Sequence, residues 1–548
     1  MSESIRRMSE HGSPLEREAW PKLSDTFKAL MEEHGRERHL EKDEVLFEAG
    51  EELTFFPYLK KGNLDIVDRA LDNKTLVRIE EGNFIGELGM LMGQKAILAG
   101  VACESCSVIE IPLTELRLLL ATVPEIGDVI VSAFTARRRI LAERGERGEG
   151  GLVIIGSSDN KRSLAILEFI SRSLLPYRWI EKSDIEAISK ISETSEIPGA
   201  AAALVVGKSL VPCETPRELA EALGFDLAVR TDQIVDLLVI GAGPGGLAAS
   251  IYAASEGLSV LAIEDTAIGG QAGTSSRIEN YLGFPQGISG KDLAHKAEIQ
   301  AIKFGAKITV PRRATRLQKK GDHYEITLDN EQAVKGRAVV LANGVQYRRL
   351  PLDRLEELEG NGIYYAATDL EARYCADRTV AIIGGGNSAG QAAMFLSRYA
   401  KKTYVIIRGQ SLAESMSSYL SNRIHQDANI ELMTNSEVSD LHGDTKLAGV
   451  TITDQKTGIA KQLATQALFI MIGARPNTKW LDEQLALDQH GFILTGKDVN
   501  AETSDFETSL SGIFAVGDIR SGSVKRVASA VGEGSVVVSA VHQYLSGT

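Results

Sequence analysis

The sequence predicts a multidomain α/β protein in which two parallel-sheet domains follow a small β-roll and a compact α/β domain. Three observations carry this. At 548 residues the chain exceeds what one core supports, at roughly 150 residues per domain. Two apolar strands, ending at Ile240 and Ile383, each run into a glycine turn and a small-residue helix. Between Leu40 and Ile111 short alternating runs are punctuated by turn signals. The composition is that of a globular chain, 43% hydrophobic and 24% charged. A formal net charge of -14 argues against nucleic acid and anionic membrane surfaces, so small molecules and proteins are the expected partners. Met1 to Trp20 is polar, and nowhere do about 18 uncharged apolar residues run together, so neither a signal peptide nor a spanning helix is expected. Four cysteines (Cys103, Cys106, Cys213, Cys375) cannot frame a disulfide scaffold and fit a reducing, cytoplasmic setting.

Element by element, the turns at Ala49-Gly50, Lys61-Gly62-Asn63, Asp72-Asn73 and Glu81-Gly82-Asn83 delimit the β-roll. Helical spacing follows from Leu113 to about Leu141, completing a first domain over 1–147. Glu143 to Gly150 is charged and glycine-bearing, as a linker would be. Strands at Leu152–Ile155, Tyr177–Ile180 and Ala201–Val206, with helices at Ser163–Leu174 and Pro216–Leu223, make a second domain over 151–228. Beyond Ile234, strands at Asp236–Ile240, Val260–Ile263, Val339–Leu341, Thr379–Ile383 and Thr403–Ile407 alternate with helices, the pattern of parallel sheets with crossovers.

The stretch Val235 to Ala249 sets Gly241, Gly243 and Gly246 between strand and helix. The first glycine allows the sharp turn, the second lets backbone approach a pyrophosphate, and the third lets helix and strand pack closely. Pro244 opens the helix, and Glu264, at the end of the next strand, is placed to accept from a ribose hydroxyl. The segment Gly269-Gly-Gln-Ala-Gly-Thr-Ser-Ser-Arg-Ile-Glu-Asn-Tyr-Leu-Gly-Phe-Pro285 resembles the flavin-contacting segment of thioredoxin reductases. That resemblance implies that Gly270, Gln271 and Asn280 contact FAD. Leu341-Ala-Asn343-Gly344, Ile472 to Thr478, and Ser511 to Ile519 with Arg526-Val527-Ala528 match in the same order. The family's flavin-binding turn would then fall at Gly517-Asp518, with Arg526 near the ring.

Thr379 to Gly390 repeats the frame with Gly384, Gly386 and Ala389 at the three key places, flanked by Asn387 and Ser388. By the same resemblance it binds NADPH or NADH, in a domain over 351–470 inserted between two parts of a Rossmann-like FAD domain, 232–350 and 471–548. The family's arginine clamp for the 2′-phosphate is reduced here to Arg408, which favours NADPH only slightly over NADH. The family's dithiol precedes this fingerprint. Here the place reads Tyr365-Ala366-Ala367-Thr368-Asp369, and neither alanine nor aspartate can form a thiolate. Cys375 is the nearest thiol in sequence. Cys103 and Cys106 have dithiol spacing but lie in an alternating β run, and Cys213 carries no motif. No metal site is expected.

In the first domain, Phe84-Ile-Gly-Glu-Leu-Gly-Met-Leu91 resembles the phosphate cassette of cyclic nucleotide-binding domains, with Glu87 at the ribose position. The arginine that pairs the cyclic phosphate is missing from Gly86 to Ile111, where its place falls among Lys95, Ala96 and Ile97. This makes ordinary cyclic nucleotide binding doubtful and leaves a docking or dimer module as an equal reading. Leu152 to Phe225 resembles a glutaredoxin or thioredoxin fold, with Ile197-Pro198 at the usual cis-proline and a loop, Gly156 to Ser163, that holds no thiol. The expected function is an FAD enzyme, commonly homodimeric, that passes electrons from NAD(P)H to a small-molecule or protein acceptor other than a CxxC-bound disulfide. Asp369 and Thr368 are candidates to tune that step. A ferredoxin- or flavodoxin-linked reductase, a disulfide reductase working through Cys375, and a redox or nucleotide sensor with little turnover stand as alternatives.

Overall fold

The computed structural model describes residues 13–547 except 70–72, 87–89, 91–94, 147–150, 193–198, 207–208, 224–231, 276–277, 360, 366, 368, 482–483 and 501–502. Glu87, Thr368 and the Ile197-Pro198 pair lie outside the described residues.

Alternation in the first hundred residues becomes two four-stranded antiparallel sheets. One runs Arg36–Leu40, Cys106–Pro112, Phe55–Lys61, Asn83–Phe84; the other runs Val45–Phe47, Ala99–Ala102, Leu64–Asp68, Lys74–Ile79. Phe56 and Phe84 from the strands bury their rings beside Phe27 and Phe134 from the flanking helices, 5.3 to 6.2 Å apart. The helical run beyond Leu113 is broken. Val123, at φ -121° and ψ 89°, separates Leu113–Thr122 from Pro124–Glu146, because a residue before proline is held out of the helical region. Glu143 to Glu146, expected as linker, completes the second helix, and Arg144 fixes it by donating to the Leu76 carbonyl at 2.9 Å. Helices Pro14–Ala19 and Asp25–His34 were not anticipated. The signal was there: Ser13 and Glu16 form a reciprocal capping box.

The middle unit is a four-stranded sheet ordered Tyr177–Glu181, Leu152–Gly156, Ala202–Val206, Ser209–Cys213, parallel in its first pair and antiparallel in the others. Its helix Lys161–Arg172 starts where Asn160 accepts from the backbone of Arg162 and Ser163. Ile166, Leu167, Phe169 and Ile170 on that helix are buried.

Of the two large sheets, the first aligns Lys307–Thr309, Val260–Ile263, Ile234–Ile240 and Ala333–Leu341 in parallel, extended by the antiparallel strands His323–Leu328 and Ala314–Lys320. The second is wholly parallel: Ile363–Tyr364, Ala467–Ile470, Thr379–Ile383, Lys402–Ile406, Ile430–Met433. The chain rejoins the first sheet at Ile513–Ala515, beside Ala333–Leu341. Between the sheets, Val345–Tyr347 and Ala474–Pro476 form an antiparallel two-stranded ribbon. No single helix among the described residues is long and apolar enough to cross a membrane.

Candidate functional site

Both glycine turns are shaped by what lies behind them. Gly241 has φ +102°, and a Cβ there would sit 2.5 Å from the Ala342 carbonyl, so only glycine lets the strand end against its neighbour. A Cβ on Gly246 would fall 1.8 Å from the Gly241 carbonyl, which seals helix onto strand. Gly243 faces the other way, its nearest prospective neighbour being Gly270 Cα at 3.9 Å. The second turn repeats this arrangement. A Cβ on Gly384 (φ +141°) would meet the Met471 carbonyl at 2.3 Å, whereas nothing lies within 4 Å of one on Gly386. Ala389, buried at the third place, reinforces the demand for glycine at 384, since its methyl group would lie 3.2 Å from a Cβ there.

These turns open onto one cavity of about 2180 Å3. From the first sheet it is lined by Gly241, Gly243, Pro244, Glu264, Gly270, Gln271, Asn280, Asn343 and Gly344, and from the chain's return by Gly517, Asp518, Arg526, Val527 and Ala528. The second sheet contributes Asn387, Ser388 and the exposed Arg408. Gly246, Gly384, Gly386 and Ala389 do not line it: Gly246, Gly384 and Ala389 shape its walls from behind, whereas Gly386 leaves open space at the start of Asn387–Leu396. Three helices of ten residues or more, Pro244–Ser255, Asn387–Leu396 and Val527–Ser546, begin at this cavity with no side-chain cap, so their first N–H groups remain available to an anion.

The carboxyl of Glu264 is buried and accepts from the Ala242 and Thr266 amides at 2.8 and 3.1 Å. Burial pushes it above the ordinary carboxylate value despite those two bonds. Burial likewise raises Asp518, opposed by Lys525. Gln271 donates to the Val345 carbonyl at 2.5 Å. Asn343 and Asn477 donate to each other's carbonyls, both at 2.7 Å, which ties the two chain crossings together. The Oδ1 atom of Asn343 is buried without a partner. Together, the uncapped helix starts, the open space at Gly243 and Gly386, and this orphaned acceptor fit two dinucleotides.

Beside the second sheet, Tyr364, Tyr365, Ala367, Glu371 and Tyr374 line the same cavity. Asp369 begins the helix Asp369–Tyr374, its side chain and Ala366 being outside the described residues. Cys375 does not line the cavity. It is fully buried in the apolar cluster around Val380 and Phe469, and burial pushes its thiol up to about 12. Cys213 is pushed up to about 11 in the same way. Cys103 and Cys106 sit on the β-roll, both raised by burial, with Cys103 donating to the Asn63 carbonyl at 3.3 Å. Among the described residues no group of three or more His, Cys, Asp and Glu could hold a metal ion.

Two contributions were invisible in the sequence. Glu359, buried, accepts from the Tyr365 hydroxyl at 2.7 Å and from Arg349 at 2.9 Å, with Lys161 at 3.4 Å. And the middle unit's helix, through Lys161, Leu164, Ala165, Glu168 and Arg172, forms part of the cavity wall. No local motif announces either; Tyr365 alone neighbours a segment the sequence had singled out.

Comparison with known proteins bears on both ends of the chain. The family profile "Pyridine nucleotide-disulphide oxidoreductase" matches residues 235–534, and "Cyclic nucleotide-binding domain" matches residues 37–123. A thioredoxin reductase of Streptomyces clavuligerus is 33% identical over 312 residues, covering 57% of this chain and 94% of its own. That of Bacillus subtilis (strain 168) is 31% identical over 316 residues, 57% and 96% of the two chains. A 34.2 kDa protein in the rubredoxin operon of Clostridium pasteurianum is 30% identical over 320 residues, 58% and 100%. Among solved structures, thioredoxin reductase of Lactococcus lactis superposes with a TM-score of 0.53 at 25% identity, covering 57% of this chain and all of the other. That of T. acidophilum gives 0.52 at 29%, covering 57% and 98%.

Proposed function

The chain belongs to the pyridine nucleotide-disulphide oxidoreductase family, in its thioredoxin reductase-like branch, and on that premise we propose that it is an FAD- and NADPH-using oxidoreductase whose electron acceptor is not served by an active-site dithiol. One observation carries the second half: none of the four thiols lines the cavity, and burial holds every one of them above its ordinary value. At the family's dithiol place stand Ala366 and Asp369.

When bound, FAD supplies hydride acceptance from the nicotinamide and delivery of the electrons onward. The protein's own part is binding and orientation. Gly243 and the uncapped start of Pro244–Ser255 would hold the flavin nucleotide's pyrophosphate, Glu264 the ribose, and Gly517, Asp518 and the start of Val527–Ser546 its ribityl side. Gln271, Asn280, Asn343 and Gly344 would border the ring. Asn387, Ser388 and Arg408, beside the open turn at Gly386, would receive NADPH, or NADH where the single arginine is too little to select. Tyr365, held by Glu359, walls the place where an acceptor would approach, with Thr368 and Asp369 adjoining it in sequence.

The front of the chain reads as a docking assembly. Lys95 donates its amide to the Leu223 carbonyl at 3.2 Å, and Ile97 packs against the middle unit's core, so the place of the missing phosphate arginine is in contact with protein. This favours docking over cyclic nucleotide sensing for the β-roll. The middle unit's strand order, with its parallel first pair, supports a thioredoxin-like domain without its cysteines.

Anaerobic titration of the purified protein with NADPH and then NADH, followed by flavin absorbance, tests the proposal. Bleaching by NADPH is expected; no bleaching with either nucleotide would sink it. Turnover with a range of acceptors should survive Cys375→Ser, and loss of turnover in that variant would restore a thiol route. If Asp369→Ala alters the rate of flavin reoxidation, a tuning role stands; an unchanged rate removes it.

A further inference from the structure

The helix Lys161–Arg172 has two working faces. Ile166, Leu167, Phe169 and Ile170 are buried in the middle unit, while Lys161, Leu164, Ala165, Glu168 and Arg172, spaced as one helical stripe, line the nucleotide cavity. This helix lies outside the segment matched by the oxidoreductase family, residues 235–534. Arg172 ends the stripe. Its side chain is 15% exposed, its Nη2 donates to the Gly270 carbonyl at 2.8 Å and reaches the Ala267 carbonyl at 3.4 Å, and its Nε is buried with no partner.

Gly270 is the pivot of that contact. It has φ +53°, precedes Gln271, and lies so close to the pyrophosphate turn that a Cβ on it would come within 3.1 Å of Gly243 Cα. A donor on its carbonyl therefore sets the spacing between the flavin segment and the glycine turn. The same guanidinium, whose Nη1 lies 3.7 Å from the Glu168 carboxylate on its own stripe, faces a wall that contains the buried Glu264, whose carboxyl burial raises and Arg172 draws down.

We propose that Arg172, supplied by the middle unit, is a flavin-positioning residue: it holds the Gly270 carbonyl, presents a buried, unpartnered Nε on that wall, and so makes FAD affinity depend on a domain outside the oxidoreductase module. The inference rests on reading the cavity as a flavin site. It assigns the middle unit a structural part in cofactor binding that needs no thiol.

The test is the dissociation constant for FAD, read by quenching of flavin fluorescence when the apo-protein is titrated, for the full-length wild type, Arg172→Ala, Arg172→Lys and Arg217→Ala. Arg217 joins the middle unit to Asp265 and Asp329 and does not itself line the cavity, although Asp265 does, so its loss loosens the same interface without touching the Gly270 carbonyl. Arg172→Ala should weaken FAD binding by roughly tenfold to a hundredfold, the range for a lost charge-assisted hydrogen bond, with Arg172→Lys recovering part of it. Arg217→Ala should lower the thermal midpoint of the apo-protein and leave the FAD constant within about twofold, below the effect of a single hydrogen bond. Equal constants for wild type and Arg172→Ala, or equal losses in Arg172→Ala and Arg217→Ala, overturn the inference while leaving the cavity a flavin site. Failure of the wild type to take up FAD would overturn the flavin reading itself, and this inference with it.

Discussion

The middle unit touches both large sheets, and its two faces are built differently. Toward the first sheet the contact is apolar and buried: Val310 belongs to the middle unit's own core, and Ile268 packs against it. Ion pairs flank it, each with one partner at or near the surface: Arg312, 5% exposed, meets Glu221, 51% exposed, at 2.8 Å, and Arg217 joins Asp265 at 3.0 Å and Asp329 at 2.5 Å. Toward the second sheet's lobe the contacts are ionic: Asp159 with Lys446, 66% and 62% exposed, and Lys161, 56% exposed, with the buried Glu359 at 3.4 Å. Burial stabilises by area and resists salt; an exposed pair is worth at most about 1 kcal/mol and is screened. The middle unit is thus held to the first lobe by a buried apolar face and to the second by ion pairs alone among the contacts named.

Breaking the apolar face should have the largest effect. Val310→Asp places an unpaired carboxylate in an apolar core and should cost roughly 3 kcal/mol or more in urea denaturation. A loss under about 1 kcal/mol would mean that the face is wetter than its packing indicates. Next, Arg217→Ala should cost about 1 to 2 kcal/mol, because Asp329, 11% exposed, is left without its cation. Glu264 sharpens the contrast through pH. Its folded pKa is raised above the ordinary 4.5, so its contribution is fully present below about 4.5 and is lost as pH rises through the folded value. Relative to Glu264→Gln, the wild-type apo-protein should therefore gain thermal stability from pH 7 towards pH 4.5; the opposite slope would show that the Ala242 and Thr266 bonds outweigh burial. Lys446→Glu should have the smallest effect, within about 0.5 kcal/mol of wild type. It should nonetheless speed amide exchange at 157–161, as should about 0.5 M salt on the wild type, with exchange around Val310 unchanged in both.

What the sequence made legible follows the same division. Glycine frames, strand ends and the acid at Glu264 are local demands on the backbone, so a short stretch such as Gly241 to Gly246 carries them whole. The break at Val123 had its signal in Pro124, but the apolar period runs straight through it and reads as one helix. The wall formed by Arg172 was not: its partner Gly270 lies 98 positions away, and the contact exists only because two domains pack. Nor could spacing show that Cys375 turns into an apolar cluster while Tyr365, ten residues earlier, lines the cavity. Periodicity reports which side chains are apolar, whereas the choice of cluster is decided by packing between elements distant in sequence.

The ribbon of Val345–Tyr347 against Ala474–Pro476 has an architectural consequence. Both passages of the chain between the two large sheets run through it side by side, with Tyr347 paired to Ala474. A lobe whose entrance and exit are neighbours is a cassette: a short turn joining those two residues would close a hairpin and leave the first sheet, with Ile513–Ala515 beside Ala333–Leu341, continuous without it. The second-sheet lobe can in that sense be exchanged as a single part, while the first-sheet lobe and the domain that braces it stay as they are.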